Sequence, residues 1–260
     1  ASGQTLATRP AWTSVAAPGA HPQQPGLEEP MDTRFENRTD AGRRLATRLA
    51  HYAGRPDVLV LALPRGGVPV GYEVARALGV PLDVLVVRKL GVPGHEELAM
   101  GAIASGGTRV LNRQVMGSLG ISQNVFDDVA AREEAVLRQR ERAYRGDRPP
   151  ADVGGRTVIL VDDGLATGAT MRAAVAALRQ RKPARIVVAV PVASPETCKA
   201  LEPHVDEIIC YLTPDVFHAV GLWYEDFTPT SDDEVRDLLR DAARWRDPHA
   251  DHPPEADPGA

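Results

Sequence analysis

Two adjacent acids, Asp162 and Asp163, stand directly after the apolar, β-branched run 158–161 and directly before a small-residue stretch, Gly164-Leu165-Ala166-Thr167-Gly168-Ala169-Thr170. The apolar run has the composition of a strand buried on both faces. A helix is expected to begin at Ala169 or Thr170. Residues 166–170 would then put free backbone N–H groups and two hydroxyls at a helix N-terminus, which is a pocket for a phosphate. Paired carboxylates would repel a phosphate placed on them. They suit a neutral polyol such as ribose, whose hydroxyls they accept, or a bound Mg²⁺. Phosphate at one end and ribose hydroxyls at the other describe a cradle for a ribose 5-phosphate.

A second constellation ends an earlier apolar run. Leu63-Pro64-Arg65-Gly66-Gly67-Val68-Pro69 places a forked donor, Arg65, beside a glycine pair that lets the backbone approach a ligand or take φ > 0. A third is Arg88-Lys89, leaving another apolar run and entering Leu90-Gly91-Val92-Pro93-Gly94-His95-Glu96-Glu97, a stretch read as a mobile lid. The bland readings are a tight strand-to-helix turn for Arg65, a solvated strand end for Arg88 and Lys89, and surface residues for His95, Glu96 and Glu97. No Gly-Lys-Ser/Thr follows the glycine of the acidic loop, and Gly-x-Gly-x-x-Gly is absent there, which removes the two common nucleotide-binding fingerprints.

Residues 158–170 resemble the thirteen-residue signature of the type I phosphoribosyltransferases, enzymes that use 5-phosphoribosyl 1-pyrophosphate (PRPP): four apolar residues, an acidic pair, two spacers, then small-Thr-Gly-x-Thr. Arg65, Gly66 and Gly67 occupy the place of the family's short pyrophosphate loop. Arg88-Lys89 resembles the basic pair of its adenine and orotate branches. The resemblance covers roughly residues 40–212. It implies transfer of ribose 5-phosphate from PRPP to a purine- or pyrimidine-like nitrogenous acceptor, with release of pyrophosphate, in nucleotide salvage or specialised metabolism. Mg²⁺ would arrive with PRPP, touched at most indirectly by Asp162 and Asp163. On this reading Arg65, Arg88 and Lys89 stabilise the leaving group, Asp162 and Asp163 hold the ribose and face the developing oxocarbenium charge, and Gly66, Gly67, Ala166, Thr167, Gly168, Ala169 and Thr170 bind the phosphates. The 6-oxopurine branch carries an Asp where Ala166 stands. Alanine cannot take a proton, so Ala166 resembles the adenine and orotate branches, and His95, Glu96 or Glu97 are the nearby candidates for a base. Gly164 departs from the apolar spacer usual after the acidic pair.

The elements that must position these groups alternate. A helix is expected over 40–52, then a strand over 57–63, a helix over 70–78 and a strand over 83–87. An irregular loop over 90–97 leads to a hairpin of 98–104 and 108–111 about Gly106-Gly107. A charged helix over 122–145 follows, then the signature strand, a helix to residue 179, a strand over 186–190, a helix opened by Ser194 and Pro195, and a strand over 207–212. A last helix begins at Ser231, with Glu234 completing a capping box. Repeated strand–helix units predict an α/β fold with an open, mostly parallel sheet flanked by helices, a small hood and a flexible lid. Ligand should bind at the carboxyl ends of the strands, near the point where strand order reverses. Residues 1–30 read as a flexible leader, with Met31 as an alternative start, residues 31–246 as the phosphoribosyltransferase-like domain and the tail from Asp247 as disordered. Residues 213–230, carrying Phe217, His218, Trp223, Tyr224 and Phe227, are the expected hood. Trp223 and Tyr224 there either stack a planar acceptor or plug the last helix onto the sheet.

Composition bounds the alternatives. At 260 residues and 43% hydrophobic, the chain is long enough for one full α/β domain plus appendages. Its net charge of -5 gives no nucleic-acid footprint. Cys198 and Cys210 fit reduced structural thiols with no zinc spacing, and no apolar run of membrane length occurs, so a cytoplasmic, membrane-free protein and a possible homo-oligomer are expected. The competing readings are a PRPP-binding regulatory protein that performs no transfer and a hydrolase that releases pyrophosphate from PRPP to water.

Overall fold

The computed structural model describes residues 34–245, so the expected leader, Met31 and the expected tail lie outside the described residues. Five parallel strands form the main sheet. They are β1 (Val58–Ala62), β2 (Leu82–Val84), β6 (Thr157–Val161), β7 (Arg185–Val192) and β8 (Glu207–Leu212), in the spatial order β2-β1-β6-β7-β8. The chain runs outward from β1 to β2 and, in its second half, outward the other way from β6 to β8. Strand order therefore reverses between β1 and β6. Their register, from Val58 opposite Thr157 to Ala62 opposite Val161, brings both strands to an end at the same level. The loops that follow them open on one edge.

Period-two alternation divides the core in two. Leu59, Leu61, Val158, Leu160, Ile186 and Val188 face α5 (Ala169–Gln180) and α6 (Pro195–Leu201). Val58, Val60, Ile159, Val161, Val187 and Ala189 face α1 (Arg38–Arg48) and α2 (Gly67–Leu78). Such two-sided burial is why the strands read as unbroken apolar runs. Asn37 caps α1 by accepting from Asp40 N–H, so the helix starts before the expected residue 40 and closes in a 3-10 turn, Ala50–Tyr52. Helix α2 likewise starts at Gly67 rather than 70, because Pro69 sits in a first turn where no N–H is needed. Both cysteines are free thiols, facing each other from α6 and β8.

The segment expected as one strand over 83–87 and an irregular loop over 90–97 is built differently. Strand β2 stops at Val84. After buried Leu85 and Val86 the chain enters a second, antiparallel sheet of β3 (Val87–Val92), β4 (His95–Ala104) and β5 (Thr108–Leu111). Residues 90–97 are thus arms of a hairpin, turning at Gly94 with φ +80° and bulged about Gly91. Leu90 and Val92 bury against α4 (Gln123–Arg145), and that apolar alternation prevails over the Gly/Pro content. The hairpin tip, residues 93–98, is exposed. A short helix, α3 (Arg113–Ser118), unexpected from the sequence, is capped by Asn112. Ser231 caps α7 (Asp232–Arg244), which packs on α4 and α2.

The start of the described chain joins the aromatic segment that was expected as the hood. Phe35 bridges to Tyr224, with Phe35 N–H donating to Trp223 O and Glu225 N–H to Phe35 O, each at 2.8 Å. Among the described residues no helix is long and apolar enough to cross a membrane.

Candidate active site

The reversal point places the loop after β1 against the loop after β6. A Cβ on Gly66 would lie 2.0 Å from Asp163 Oδ2, and one on Gly67 would lie 2.8 Å from Val161 O and 2.9 Å from Asp162 Cα. Gly66 has φ -59°, so what it supplies is close approach rather than an unusual dihedral. The glycine pair and the acidic pair, 95 residues apart in the chain, form one surface.

Asp163 is held from two sides. Arg38, at the start of α1, donates from Nε to Asp163 Oδ2 at 2.9 Å and pairs with the same oxygen through Nη2 at 2.9 Å, and its Nη1 donates to Thr228 O at 2.8 Å. Its guanidinium lies 3.9 Å above the Phe227 ring. The Tyr224 hydroxyl donates to Asp163 O at 2.6 Å. Arg38 was invisible to sequence reasoning, because nothing near it in the chain marks it. Burial pushes the Asp162 carboxyl well above the ordinary carboxylate range, and the neighbouring Asp163 charge adds to this. Burial also raises Asp163, against the lowering pull of Arg38. A largely buried acid pair, one member of it engaged by Arg38, fits neutral hydroxyl partners.

The turn after the acids has the geometry that the expected phosphate turn requires. Gly168 takes the left-handed region at φ 65°, ψ 11°, and α5 begins at the next residue. A Cβ there would meet Thr197 at 2.6 Å. Thr197, on α6, donates its hydroxyl to Ala166 O at 2.5 Å and accepts from the Ser194 hydroxyl at 2.9 Å, fixing the turn from behind. Arg172 donates to Thr167 O at 2.7 Å. Ala166, Thr167, Ala169 and Thr170 remain exposed, so the turn is open rather than packed over. Thr197 is a second residue that the sequence did not single out. Gly164 also has its reason: a Cβ there would lie 2.5 Å from Val220, so the apolar spacer is replaced by a hood side chain seated on the loop.

The cations divide. Arg65 is half-exposed, 3.8 Å from Asp232 at the start of α7. Arg88 and Lys89, neighbours on β3, point to opposite faces. Arg88 donates from Nε to Glu133 of α4 at 2.7 Å and pairs through Nη2 with the same carboxylate. Arg88 and Lys89 were expected together on the leaving group; strand alternation turns Arg88 toward α4 and Lys89 to the other face. Lys89 instead lines a cavity of about 210 Å³ together with Thr170 and Arg172, and its Nζ lies 3.3 Å from Glu97 O. It flanks the phosphate turn. Tyr224 is fully buried, tilted against Phe35 and Phe227 at 5.3 and 5.0 Å, with its hydroxyl committed to Asp163. It packs within the aromatic cluster and supports the acid loop through its hydroxyl. Trp223 is half-buried in the same cluster. His95, Glu96 and Glu97 are exposed, and backbone N–H groups at Glu96 and Gly94 hold the Glu96 carboxyl below its usual range.

Among the described residues no group of three or more His, Cys, Asp or Glu could hold a metal ion. Two carboxylates, one of them engaged by Arg38, match an Mg²⁺ that keeps its waters and is carried mainly by substrate phosphates.

Comparison with known proteins places this site in a family. The profile of the phosphoribosyl transferase domain matches residues 33–225. A Mycobacterium tuberculosis protein named as phosphoribosyl transferase Rv0571c is 46% identical over 210 residues, 81% of this chain, which spans 47% of that protein's length. The bifunctional protein PyrR of Roseiflexus sp. is 31% identical over 154 residues, 57% of this chain and 65% of that protein. The crystal structure of TT1426 from Thermus thermophilus superposes with a TM-score of 0.73 at 46% identity, covering 80% of this chain and 98% of that one. On its fold, its acid-and-turn signature and these matches, the chain belongs to the phosphoribosyl transferase family.

Proposed function

We propose that the protein transfers the 5-phosphoribosyl group of PRPP to a nitrogenous, purine- or pyrimidine-like acceptor. The observation that carries this is the contact of Gly66 and Gly67 with Asp162 and Asp163 at the strand-order reversal, beside the open Thr167–Thr170 turn. In this pose the 5-phosphate accepts from the turn's N–H groups and hydroxyls, with Lys89 and Arg172 alongside. The ribose hydroxyls donate to Asp162 and to the oxygen of Asp163 that Arg38 leaves free. The pyrophosphate lies on Arg65 and the Gly66-Gly67 backbone. The bond between ribose C1 and the pyrophosphate oxygen breaks, and its electron pair leaves with pyrophosphate. The acceptor nitrogen supplies the pair for the new C–N bond, and its proton passes to solvent or to a hairpin-tip residue such as His95. Positive charge gathering on the ring is stabilised by the acid pair and negative charge on the leaving group by Arg65. Mg²⁺, brought with PRPP, would supply charge neutralisation of the pyrophosphate.

One observation favours a second reading, a PRPP-binding regulatory protein: Arg88, expected on the leaving group, is tied to Glu133. Pyrophosphate release, measured with PRPP, Mg²⁺ and a panel of purines, pyrimidines and small amines, separates the readings. Release that requires one acceptor supports transfer. Release without any acceptor indicates hydrolysis. PRPP binding without release across the panel indicates regulation.

A further inference from the structure

Away from the cradle, the C-terminal end of α4 and one face of α7 enclose an open groove of about 390 Å³. Six arginines line it: Arg142, Arg145, Arg148, Arg236, Arg240 and Arg244, and no carboxylate does. Arg236, Arg240 and Arg244 recur every four residues and so share one helix face. Like charges at that spacing each cost α7 a few tenths of a kcal/mol. The i,i+3 pairs of Arg236 with Asp233 and of Arg240 with Asp237 offset part of that cost, and all three arginines line the groove.

The arginines are not equivalent. Arg145 is buried and fixed by Asp83 at 2.7 Å, Glu141 at 3.1 Å and the carbonyl of Val84, which makes it the rigid floor. Arg236 and Arg240 are steadied along their own helix by Asp233 and Asp237. Arg148 donates to Arg145 O at 3.2 Å and, with Arg142, stands exposed at the opposite wall. A lone phosphate cannot satisfy guanidinium forks spread over two helices, whereas a chain of two or three phosphates presents enough oxygens. The volume falls in the range of small-molecule sites. A groove of bounded length in a chain of net charge -5 does not offer the continuous basic stripe that a nucleic acid needs. Groove and cradle are separate sites joined by two contacts: the Tyr144 hydroxyl donates to Asp232 at 2.8 Å, and Asp232 lies 3.8 Å from Arg65.

We propose that this groove is a second anion site, which takes a small molecule carrying a di- or triphosphate. The test is calorimetric titration of the full chain with inorganic tripolyphosphate, ATP and adenosine, without Mg²⁺, at about 0.15 M salt. Three double variants accompany the native protein. Arg142→Ala with Arg240→Ala strips the groove, Thr167→Ala with Thr170→Ala strips the cradle turn, and Arg132→Ala with Arg138→Ala removes the same charge elsewhere on α4. All four arginines are exposed, so these variants should fold, which thermal melts check. The proposal expects tripolyphosphate binding that weakens at least tenfold in the groove variant alone. ATP binding as tightly as tripolyphosphate would identify a nucleotide carried by its phosphates, ATP binding tenfold more weakly a free polyphosphate, and adenosine should not bind. Equal weakening in the Arg132/Arg138 variant would mean diffuse electrostatics and overturn the proposal. So would weakening confined to the cradle variant, or no binding to the native chain.

Discussion

Replacing Arg38 with methionine should damage both the fold and the proposed ribose site, and the two losses can be measured separately. Methionine keeps the apolar stem but removes every contact of the guanidinium. The Arg38 and Asp163 side chains are 11% and 17% exposed, so the pair lies between the surface limit, where such pairs give at most about 1 kcal/mol, and the buried limit of about 3–5 kcal/mol. About 2 kcal/mol is a reasonable middle. The exposed bond to Thr228 O and the stacking on Phe227 add about 1 kcal/mol. A total near 3 kcal/mol would lower Tm by roughly 6–12 °C for a domain of this size. The second effect is electrostatic. Arg38 is the charge that pulls the Asp163 carboxyl down against burial. Without it the acid pair retains a proton to higher pH, so PRPP binding should weaken at neutral pH and recover as pH rises. Thermal melts and PRPP titrations between pH 6 and 9 report both. Unchanged PRPP affinity across that range would refute the role given to the acid pair, whatever the melt shows.

Four further outcomes follow from the same geometry. Gly66→Ala forces a methyl group to 2.0 Å from Asp163 Oδ2, so overpacking of about 1–3 kcal/mol and at least tenfold weaker PRPP binding are expected, checked by melting and calorimetry. Asp162→Asn removes a carboxyl whose folded pKa is raised. Such a group costs stability once pH passes its unfolded value of about 3.9, fully so above its folded pKa, so the variant should melt higher than the native protein at pH 7, with the gap closing toward pH 4, while PRPP binding falls. Lys89→Met should raise the PRPP Kd by about tenfold, the worth of a charge-assisted phosphate contact. Arg88→Met should change that Kd less than threefold and cost only about 1 kcal/mol of stability through its partly exposed pair with Glu133, a contrast that parallel titrations and melts resolve.

Where chemistry and periodicity lie in one short stretch, the sequence is readable. Residues 158–170 announce strand, acids, turn and helix because each part is local, and the two-sided burial of β1, β6 and β7 leaves unbroken apolar runs. Ser231 marks a helix start by a mechanism confined to four residues and caps as expected, and Ser122 caps α4 in the same way by accepting from Val125 N–H. Arg38 and Thr197 escaped because their roles arise from partners 125 and 31 residues away. The hairpin arms at 90–97 escaped because Gly91, Pro93 and Gly94 look irregular, while Leu90 and Val92 carry a two-residue alternation too short to outweigh them. Arg88 and Lys89 look like a pair in the sequence, and once β3 is a strand they cannot act as one. Tyr224 was marked by residue type alone, which does not distinguish a stacking platform from a buried prop.

A structure of the protein crystallised with Mg²⁺ and PRPP is the most direct test. The account predicts the 5-phosphate within hydrogen-bond reach of Thr167 and Thr170, the ribose hydroxyls on Asp162 and Asp163, and the pyrophosphate against Arg65. A sugar phosphate bound elsewhere, with the turn after Asp163 holding no anion, would contradict it.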